Sequence, residues 1–146
     1  MTILVDADSC PKQARELVIR RASKLKIPLV FAANRQIDCA GYAQMEICPE
    51  GDNSADNRIV ELAKEGDLAL TRDIPLAKRL VELGVSVLDD RGRVFTKNNI
   101  NELLSLRNFT VALAENGLDF NRTAGYGKKE LKTFADSLDR LLAKAK

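Results

Sequence analysis

Short apolar runs alternate with amphipathic stretches along most of the chain, and this alternation restricts the possible folds more than any other feature. A strand that is apolar at successive positions needs cover on both faces, which a parallel sheet between helices provides. We therefore predict an α/β fold with a mainly parallel sheet covered on both faces. The predicted strands are Thr2–Asp6, Pro28–Ala33, Gln44–Cys48, Asp67–Thr71, Val85–Leu88 and Arg93–Phe95, and the predicted helices between them are Pro11–Leu25, Ala55–Glu65 and Ile74–Leu83.

The C-terminal part of the chain has a different pattern. Helical periodicity predicts two helices, at about 98–116 and 128–143, which would pack on the α/β core. The stretch Leu118–Gly127 between them lacks periodicity and contains two glycines, so we predict a loop there. No repeat, low-complexity tract or linker divides the 146 residues, and residues 1–146 are therefore predicted to form one domain.

Histidine is absent from the sequence, and its absence excludes whole classes of chemistry. A serine–histidine triad, a histidine general base and a histidine-rich metal site all need the imidazole ring. Tryptophan is also absent and aromatic residues make up only 5%, which argues against a nucleic-acid interface built from stacking platforms. The net charge of +2 neither requires nor excludes a polyanionic partner. Any catalysis must use carboxylates, amides, hydroxyls, lysine, arginine or a metal ion held by oxygen.

The sequence favours a cytoplasmic protein without a membrane partner. Cys10, Cys39 and Cys48 lack CxxC and zinc-finger spacing, which is typical of a reducing compartment. We interpret Cys10 as a packing residue, because nearby carboxylates raise the pKa of a thiol and oppose its nucleophilicity. The N-terminal MTILVDAD has no basic region, unlike a signal peptide. No apolar run approaches the roughly 18 residues that span a bilayer.

Aspartates follow several of the predicted strands, where open α/β sheets bind their ligands. Asp6 ends the first strand, Asp8 lies two residues further on, and Asp73 lies two residues beyond Thr71, the end of the fourth strand. Asp56 opens a helix. These acids are far apart in sequence, but a parallel sheet would bring them to one edge. We therefore take Asp6, Asp8, Asp56 and Asp73 as candidate catalytic residues.

Clustered carboxylates repel each other unless a cation lies between them. Their oxygens suit Mg²⁺ or Mn²⁺, and such an ion polarises a phosphoryl oxygen and lowers the pKa of a bound water. Metal-assisted phosphodiester hydrolysis is the chemistry that this set of residues supports best. Candidate contacts to the substrate phosphate are Ser9, Lys12, Asn34, Arg35 and Arg72, although each also fits an ordinary role at the surface or at a strand end.

Simpler structural roles explain several of the acids. Asp73 could cap the helix that follows it, Asp56 could occupy a first helical turn favoured by the helix dipole, and Asp8 could belong to a turn. Asp89–Asp90 fits a turn before a glycine. Asp6 is harder to explain in this way, because a carboxylate that directly ends an apolar strand has no capping role and loses solvation.

Several motifs together resemble the YaiI/YqxD family of uncharacterised bacterial proteins: VDADSCPK near the N-terminus, FAAN at 31–34, GDNSADNRIVELA at 51–63, LTRDIPLAKRLVELG at 70–84 and then DDRGRVFTKNNI. That family is similar to PIN-like domains, which are three-layer α/β metal-dependent nucleases. The resemblance implies a PIN-like fold in which Asp6, Asp56 and Asp73 hold the metal and Asp8 assists. The sequence departs from the family at Tyr126, where a proline usually precedes the last helix.

Three hypotheses about function follow. The first is a Mg²⁺- or Mn²⁺-dependent nuclease that acts on RNA rather than DNA, with a homodimer as a further expectation. In the second, Asp6-Ala-Asp8 is the DxD motif of a haloacid-dehalogenase-type phosphatase, with Asp6 as nucleophile and Asp89–Asp90 as the later acid pair. The third is a non-catalytic nucleic-acid or protein-binding module with a PIN-like core, in which Arg20–Arg21 and Lys128–Lys129 contact phosphate.

Overall fold

A computed structural model describes residues 1–50, 54–115 and 126–144. The predicted strands and helices are confirmed within these ranges, and most of the predicted loop Leu118–Gly127 lies outside them. A short 3₁₀ turn at Ala7–Ser9 follows the first strand and contains Asp8, which agrees with the turn role that the sequence offered for this residue. The strands are β1 (Ile3–Asp6), β2 (Leu29–Ala33), β3 (Gln44–Ile47), β4 (Leu68–Leu70), β5 (Ser86–Leu88) and β6 (Val94–Phe95). The helices are α1 (Lys12–Leu25), α2 (Ser54–Leu62), α3 (Ile74–Glu82), α4 (Ile100–Glu115) and α5 (Lys128–Lys144).

The six strands form one sheet in the order β3-β2-β1-β4-β5-β6. The first five strands run parallel, and β6 pairs antiparallel with β5. The chain moves outward from β1 to β3 and then returns to the other side of β1 to form β4. The carboxyl ends of β1 and β4 therefore flank the topological switch point, which is where open α/β sheets bind ligands.

Helices cover both faces of the sheet. Ile3 and Val5 of β1 pack into a core with α1 and α5, whereas Leu4 packs into the opposite core with α2, α3 and α4. The two C-terminal helices thus lie on opposite faces, with Phe134 of α5 in one core and Ile100 of α4 in the other. The result is a three-layer α/β fold. Among the described helices, none is long and apolar enough to cross a membrane.

The turn between β5 and β6 docks directly against α5. The Asp89 carboxylate accepts hydrogen bonds from two backbone N–H groups of the turn, at 2.8 and 2.9 Å, as its predicted turn role requires. Gly92 has φ of +88°, and its carbonyl oxygen accepts a hydrogen bond from Oγ of Ser137 at 2.7 Å. A Cβ atom at Gly92 would lie 2.7 Å from the carbonyl oxygen of Thr133. Only glycine satisfies both the backbone conformation and the close approach of α5.

Gly92→Ala should therefore destabilise the protein more than Gly66→Ala does. Gly66 has nearly the same φ, +90°, but a Cβ there would meet no atom within 4 Å. The left-handed backbone alone should cost about 1–2 kcal/mol in each variant. The contact with Thr133 should cost Gly92→Ala about 1–3 kcal/mol more. Urea denaturation measures both losses, and equal losses would contradict the docking of this turn on α5.

Candidate active site at the carboxyl edge of the sheet

Three carboxylates from separate elements meet where β1 and β4 end. Asp6 is the last residue of β1, Asp73 is the N-cap of α3, and Asp56 lies in the first turn of α2. The side chains of Asp56 and Asp73 are close enough to hydrogen bond with each other, and Asp6 interacts electrostatically with both. The sheet thus brings together three of the four acids that the sequence singled out. We call Asp6, Asp56 and Asp73 the acid cluster.

Two hydroxyl groups hold the carboxylate of Asp6. Its Oδ2 accepts hydrogen bonds from Oγ1 of Thr71 at 2.9 Å and from Oγ of Ser9 at 3.2 Å. The Thr71 hydroxyl itself accepts a hydrogen bond from the backbone N–H of Asp73 at 3.0 Å, so its single proton points to Asp6. Asp6 is only 8% exposed. Burial raises the pKa of Asp6, the two hydroxyls oppose this increase, and repulsion from Asp73 and Asp8 adds to it.

Asp73 has the capping role that the sequence offered as its alternative, together with a place in the acid cluster. Its Oδ1 accepts a hydrogen bond from the backbone N–H of Leu76 at 3.1 Å, and Pro75 follows in the first turn of α3. Such a cap typically contributes about 1 kcal/mol. The same side chain also contacts Asp56. One residue therefore fixes the start of α3 and contributes a carboxylate to the cluster.

Asp56 has the most perturbed carboxyl group of the cluster. Burial raises the pKa of Asp56 to about 6, and repulsion from Asp73 and Asp6 and a hydrogen bond with Asp73 act in the same direction. The positive charge of Arg79 opposes the shift. Two carboxyl groups in contact share a proton when nothing else neutralises them. A cation between Asp56 and Asp73 would take over that role.

Two open cavities lie next to each other over the acid cluster, and Asp73 and Arg107 line both of them. The Asp6-side cavity has a volume of about 300 Å³, and its other lining residues are Asp6, Ser9, Arg72 and Ile74. The Asp56-side cavity has a volume of about 350 Å³, and its other lining residues are Asp56, Pro75, Leu76 and Arg79. Acids and arginines therefore line both cavities together.

Asp8, the fourth candidate acid, faces the end of β2 instead. Its Oδ2 accepts a hydrogen bond from the backbone N–H of Asn34 at 3.1 Å, and its Oδ1 accepts one from Nε of Arg35 at 3.2 Å. Asp8 lines neither of the two cavities. It links the end of β2 to the 3₁₀ turn after β1, and its charge raises the pKa of Asp6.

The five phosphate contacts expected from the sequence fall into two groups. Ser9 and Arg72 line the Asp6-side cavity, where a phosphate near the acid cluster would lie. Lys12, Asn34 and Arg35 line neither cavity. Lys12 is exposed to solvent, and Arg35 is engaged in the ion pair described above.

Asp90 lies in the turn that the sequence predicted after β5, but it is buried and has a charged partner. Asp90 is only 5% exposed, its Oδ2 accepts a hydrogen bond from Nε of Arg72 at 2.7 Å, and the same oxygen lies 2.5 Å from Nη2 in an ion pair. Asp90, Cys10 and Asp6 all line a small cavity of about 10 Å³, roughly the space of one water molecule. Burial, followed by repulsion from Asp90, raises the pKa of Cys10 to about 12, which suits its expected packing role.

Three residues that shape the site were not among the candidates predicted from the sequence. The sequence identified Thr71 only as the last residue of a predicted strand. It does not show that the Thr71 hydroxyl faces the neighbouring strand. Arg79 and Arg107 lie in predicted helices, where periodicity does not separate a cavity residue from an ordinary solvated one. Their position depends on the packing of α2, α3 and α4 around the cavities, which no local pattern encodes.

The carboxylates of the acid cluster are the candidate ligands for a divalent cation. Within the described ranges, no group of three or more Asp, Glu, Cys or His side chains is close enough to hold one metal ion. Mg²⁺ does not require such a group, because it keeps several waters and is commonly bound through one or two carboxylates. Asp56 and Asp73 provide two carboxylates in contact. The residues therefore fit a hard cation that retains part of its water shell.

The fold and the site together define an α/β protein with an acid cluster at the switch point of a mainly parallel sheet. The chain belongs to the YaiI/YqxD family, as its motifs indicated: the family described as "Uncharacterized BCR, YaiI/YqxD family" matches residues 4–144. The UPF0178 protein of Treponema denticola is 50% identical over 99% of this chain and 94% of its own length. The UPF0178 proteins of Treponema pallidum and Pseudomonas putida KT2440 are 45% and 39% identical over 99% of this chain, and over 82% and 97% of their own lengths. No solved structure matches the chain significantly, so the likeness to PIN-like domains stays a prediction.

Asp56→Asn should change how the stability of the metal-free protein depends on pH. The folded pKa of about 6 exceeds the ordinary value of 3.8, so the folded state binds this proton more tightly than the unfolded state. The resulting stability is fully present below pH 3.8 and is lost as pH rises through about 6. In EDTA, urea denaturation between pH 4 and 7.5 should show this decline in the parent and a smaller one in Asp56→Asn.

The matched control is Asp136→Asn, an exposed aspartate on α5, which should retain the parent's pH dependence. Asp56→Asn should also be at least as stable as the parent at pH 7.5, because it removes one of two carboxylates in contact. An Asp56→Asn variant whose pH dependence matches that of the parent would contradict the acid cluster.

Proposed function

We propose that this chain is a divalent-metal-dependent nuclease that hydrolyses phosphodiester bonds, with RNA preferred to DNA as the proposed substrate. The observation that carries the proposal is the contact between the carboxyl groups of Asp56 and Asp73, beside buried Asp6 and under cavities lined by arginines. Carboxylates in contact favour a bound cation, and neighbouring guanidinium groups favour an anion. A cation next to a phosphate is what a metal-dependent phosphodiester hydrolase binds. The resemblance of the family motifs to PIN-like nucleases supports the same chemistry.

The acid cluster would hold Mg²⁺ or Mn²⁺. Asp56 and Asp73 would bind the ion, and Asp6 would contribute through a bound water. A bound ion of this kind polarises a phosphoryl oxygen and makes a nucleophilic water available near neutral pH. The hydrogen bonds from Thr71 and Ser9 favour the ionised form of Asp6 despite its burial, and they fix the direction of its carboxylate.

Arginine would provide the contact to the substrate phosphate in the Asp6-side cavity. Arg72 lines this cavity, and its ion pair with buried Asp90 limits the freedom of its side chain. A guanidinium group that is already oriented loses less entropy when it binds a phosphate. Ser9 lines the same cavity but donates its proton to Asp6, so we expect a smaller contribution from Ser9 to phosphate binding.

The haloacid-dehalogenase-type phosphatase fits the structure less well. That class needs a lysine beside the nucleophilic aspartate and a later pair of acids. Among the described residues, the walls of both cavities contain arginines and no lysine. Asp90, half of the expected acid pair, is bonded to Arg72.

A non-catalytic binding module is the second candidate, because the arginines of the cavities would attract nucleic acid without any catalysis. Oligonucleotide binding that persists in EDTA and in Asp6→Asn, without cleavage, would identify such a module. The cytoplasmic location and the homodimer stay predictions.

Asp6→Asn and Asp73→Asn should each abolish Mg²⁺- or Mn²⁺-dependent cleavage of single-stranded RNA. Each substitution retains the shape of the side chain and removes a charge from the acid cluster. The loss should exceed the roughly 10–100-fold that removal of an outer partner of a metal site costs. A labelled RNA and a gel assay measure it, with Asp136→Asn as the matched control. Full cleavage by both folded variants would contradict the assigned site.

Mn²⁺ or Mg²⁺ should stabilise the folded protein through the acid cluster. The unfolded chain cannot hold Asp6, Asp56 and Asp73 together, so the ion should bind mainly to the native state. At about 100 times the Kd, this linkage contributes about 2.7 kcal/mol. For a chain of this size the melting temperature should rise by about 5–10 °C in a thermal-shift experiment. The rise should nearly disappear in Asp73→Asn and persist in Asp136→Asn, and a parent protein that saturating Mn²⁺ leaves unchanged would have no such site.

A further inference from the structure

We propose that Arg79 and Arg107 form a second phosphate subsite in the Asp56-side cavity, which takes the phosphate next to the one at the acid cluster. We call this pair the arginine subsite. Its assignment to a nucleic-acid strand rests on the proposed nuclease function. The proposal makes the substrate a strand with at least two consecutive phosphates rather than a small phosphodiester with one.

Arg79 and Arg107 both line the Asp56-side cavity. Arg79, from α3, lines only the Asp56-side cavity, whereas Arg107, from α4, lines both cavities. Arg107 follows Leu103 by one helical turn, and Leu103 packs against the core beneath α4. The helix therefore directs Arg107 toward the cavities.

The charges of the two arginines are not neutralised by an acid in contact with them. Nη1 of Arg79 donates to the amide oxygen of Asn57 at 3.0 Å, and Nη1 of Arg107 donates to that of Asn108 at 3.2 Å. Neither arginine forms an ion pair within the described part of the chain. By contrast, Arg35, Arg58 and Arg72 are each paired with a carboxylate. The positive charges of Arg79 and Arg107 therefore face the open Asp56-side cavity, where they are available to a phosphate.

The described walls of the two cavities each contain two aspartates and two arginines, but Arg72 of the Asp6-side cavity is ion-paired with Asp90, whereas Arg79 of the Asp56-side cavity is hydrogen-bonded to an amide. The acid cluster repels a phosphate unless a cation covers it, so a phosphate at the cluster depends on the metal. A guanidinium group binds phosphate directly, through paired N–H groups. The Asp56-side cavity, at about 350 Å³, is within the range of ligand pockets, roughly 300–1,000 Å³. A strand whose reacting phosphate is at the cluster would place its neighbouring phosphate between Arg79 and Arg107.

Binding experiments test the arginine subsite separately from catalysis. The probe is a fluorescein-labelled octauridylate, measured by anisotropy in Ca²⁺ buffer at several salt concentrations, with a gel to confirm that it stays intact. For a single strand, the slope of log K against log salt changes by about 0.7 for each phosphate contact. The double variant Arg79→Gln/Arg107→Gln should therefore lose about 1.4 from this slope, and its affinity should fall about tenfold or more for each arginine. Lys24→Gln, exposed on α1 on the other face of the sheet, should retain the parent's slope.

Competition experiments test the number of phosphates. Against the labelled probe, the parent should prefer a trinucleoside diphosphate to a dinucleoside monophosphate, and the double variant should lose this preference. A parent that binds the probe but does not cleave RNA with Mg²⁺ or Mn²⁺ would overturn the proposed nuclease and leave the subsite intact. A double variant with the parent's salt slope and length preference, or a parent with no affinity for the probe at low salt, would overturn the subsite.

Discussion

The hydroxyl of Thr71 joins the two strands on which the site is built. It accepts a hydrogen bond from the backbone of Asp73 and donates one to the carboxylate of Asp6, so it spans the gap between β4 and β1. These strands are parallel neighbours at the switch point of the sheet. Because Asp73 also caps α3, the direction of Asp6, the end of β4 and the start of that helix are fixed together. The position of the acid cluster follows from this arrangement.

The acid cluster opposes the stability of the metal-free fold. Burial of Asp6 and Asp56, together with repulsion between Asp56 and Asp73, disfavours the ionised carboxylates and raises the pKa values of Asp6 and Asp56. The fold therefore holds these carboxyl groups in an unfavourable environment, whereas most other buried side chains are apolar. An unfavourable environment of this kind is typical of functional sites, where a ligand supplies the missing interaction. A bound cation would supply it in this protein.

The sequence was sufficient for features that depend on local periodicity. Continuous apolar runs predicted the parallel strands, and the position of Asp6 at the end of one of them predicted its place at the edge of the sheet. Features that depend on packing between distant elements were not predictable. Asp90 is buried because α5 docks on the turn around Gly92, and Arg107 reaches the cavities because α4 packs across α3. Asp8 was grouped with the other acids because of its spacing from Asp6, but the 3₁₀ turn directs it toward β2.

The central claim is that the acid cluster binds a divalent cation. A crystal structure of the protein soaked in Mn²⁺, with anomalous diffraction data, tests it most directly. The account predicts an anomalous peak in contact with the carboxylates of Asp56 and Asp73, with Asp6 beside it, and no peak at this position in crystals of Asp73→Asn. An acid cluster without any anomalous density at saturating Mn²⁺, or an ion bound only elsewhere on the protein, would contradict the account.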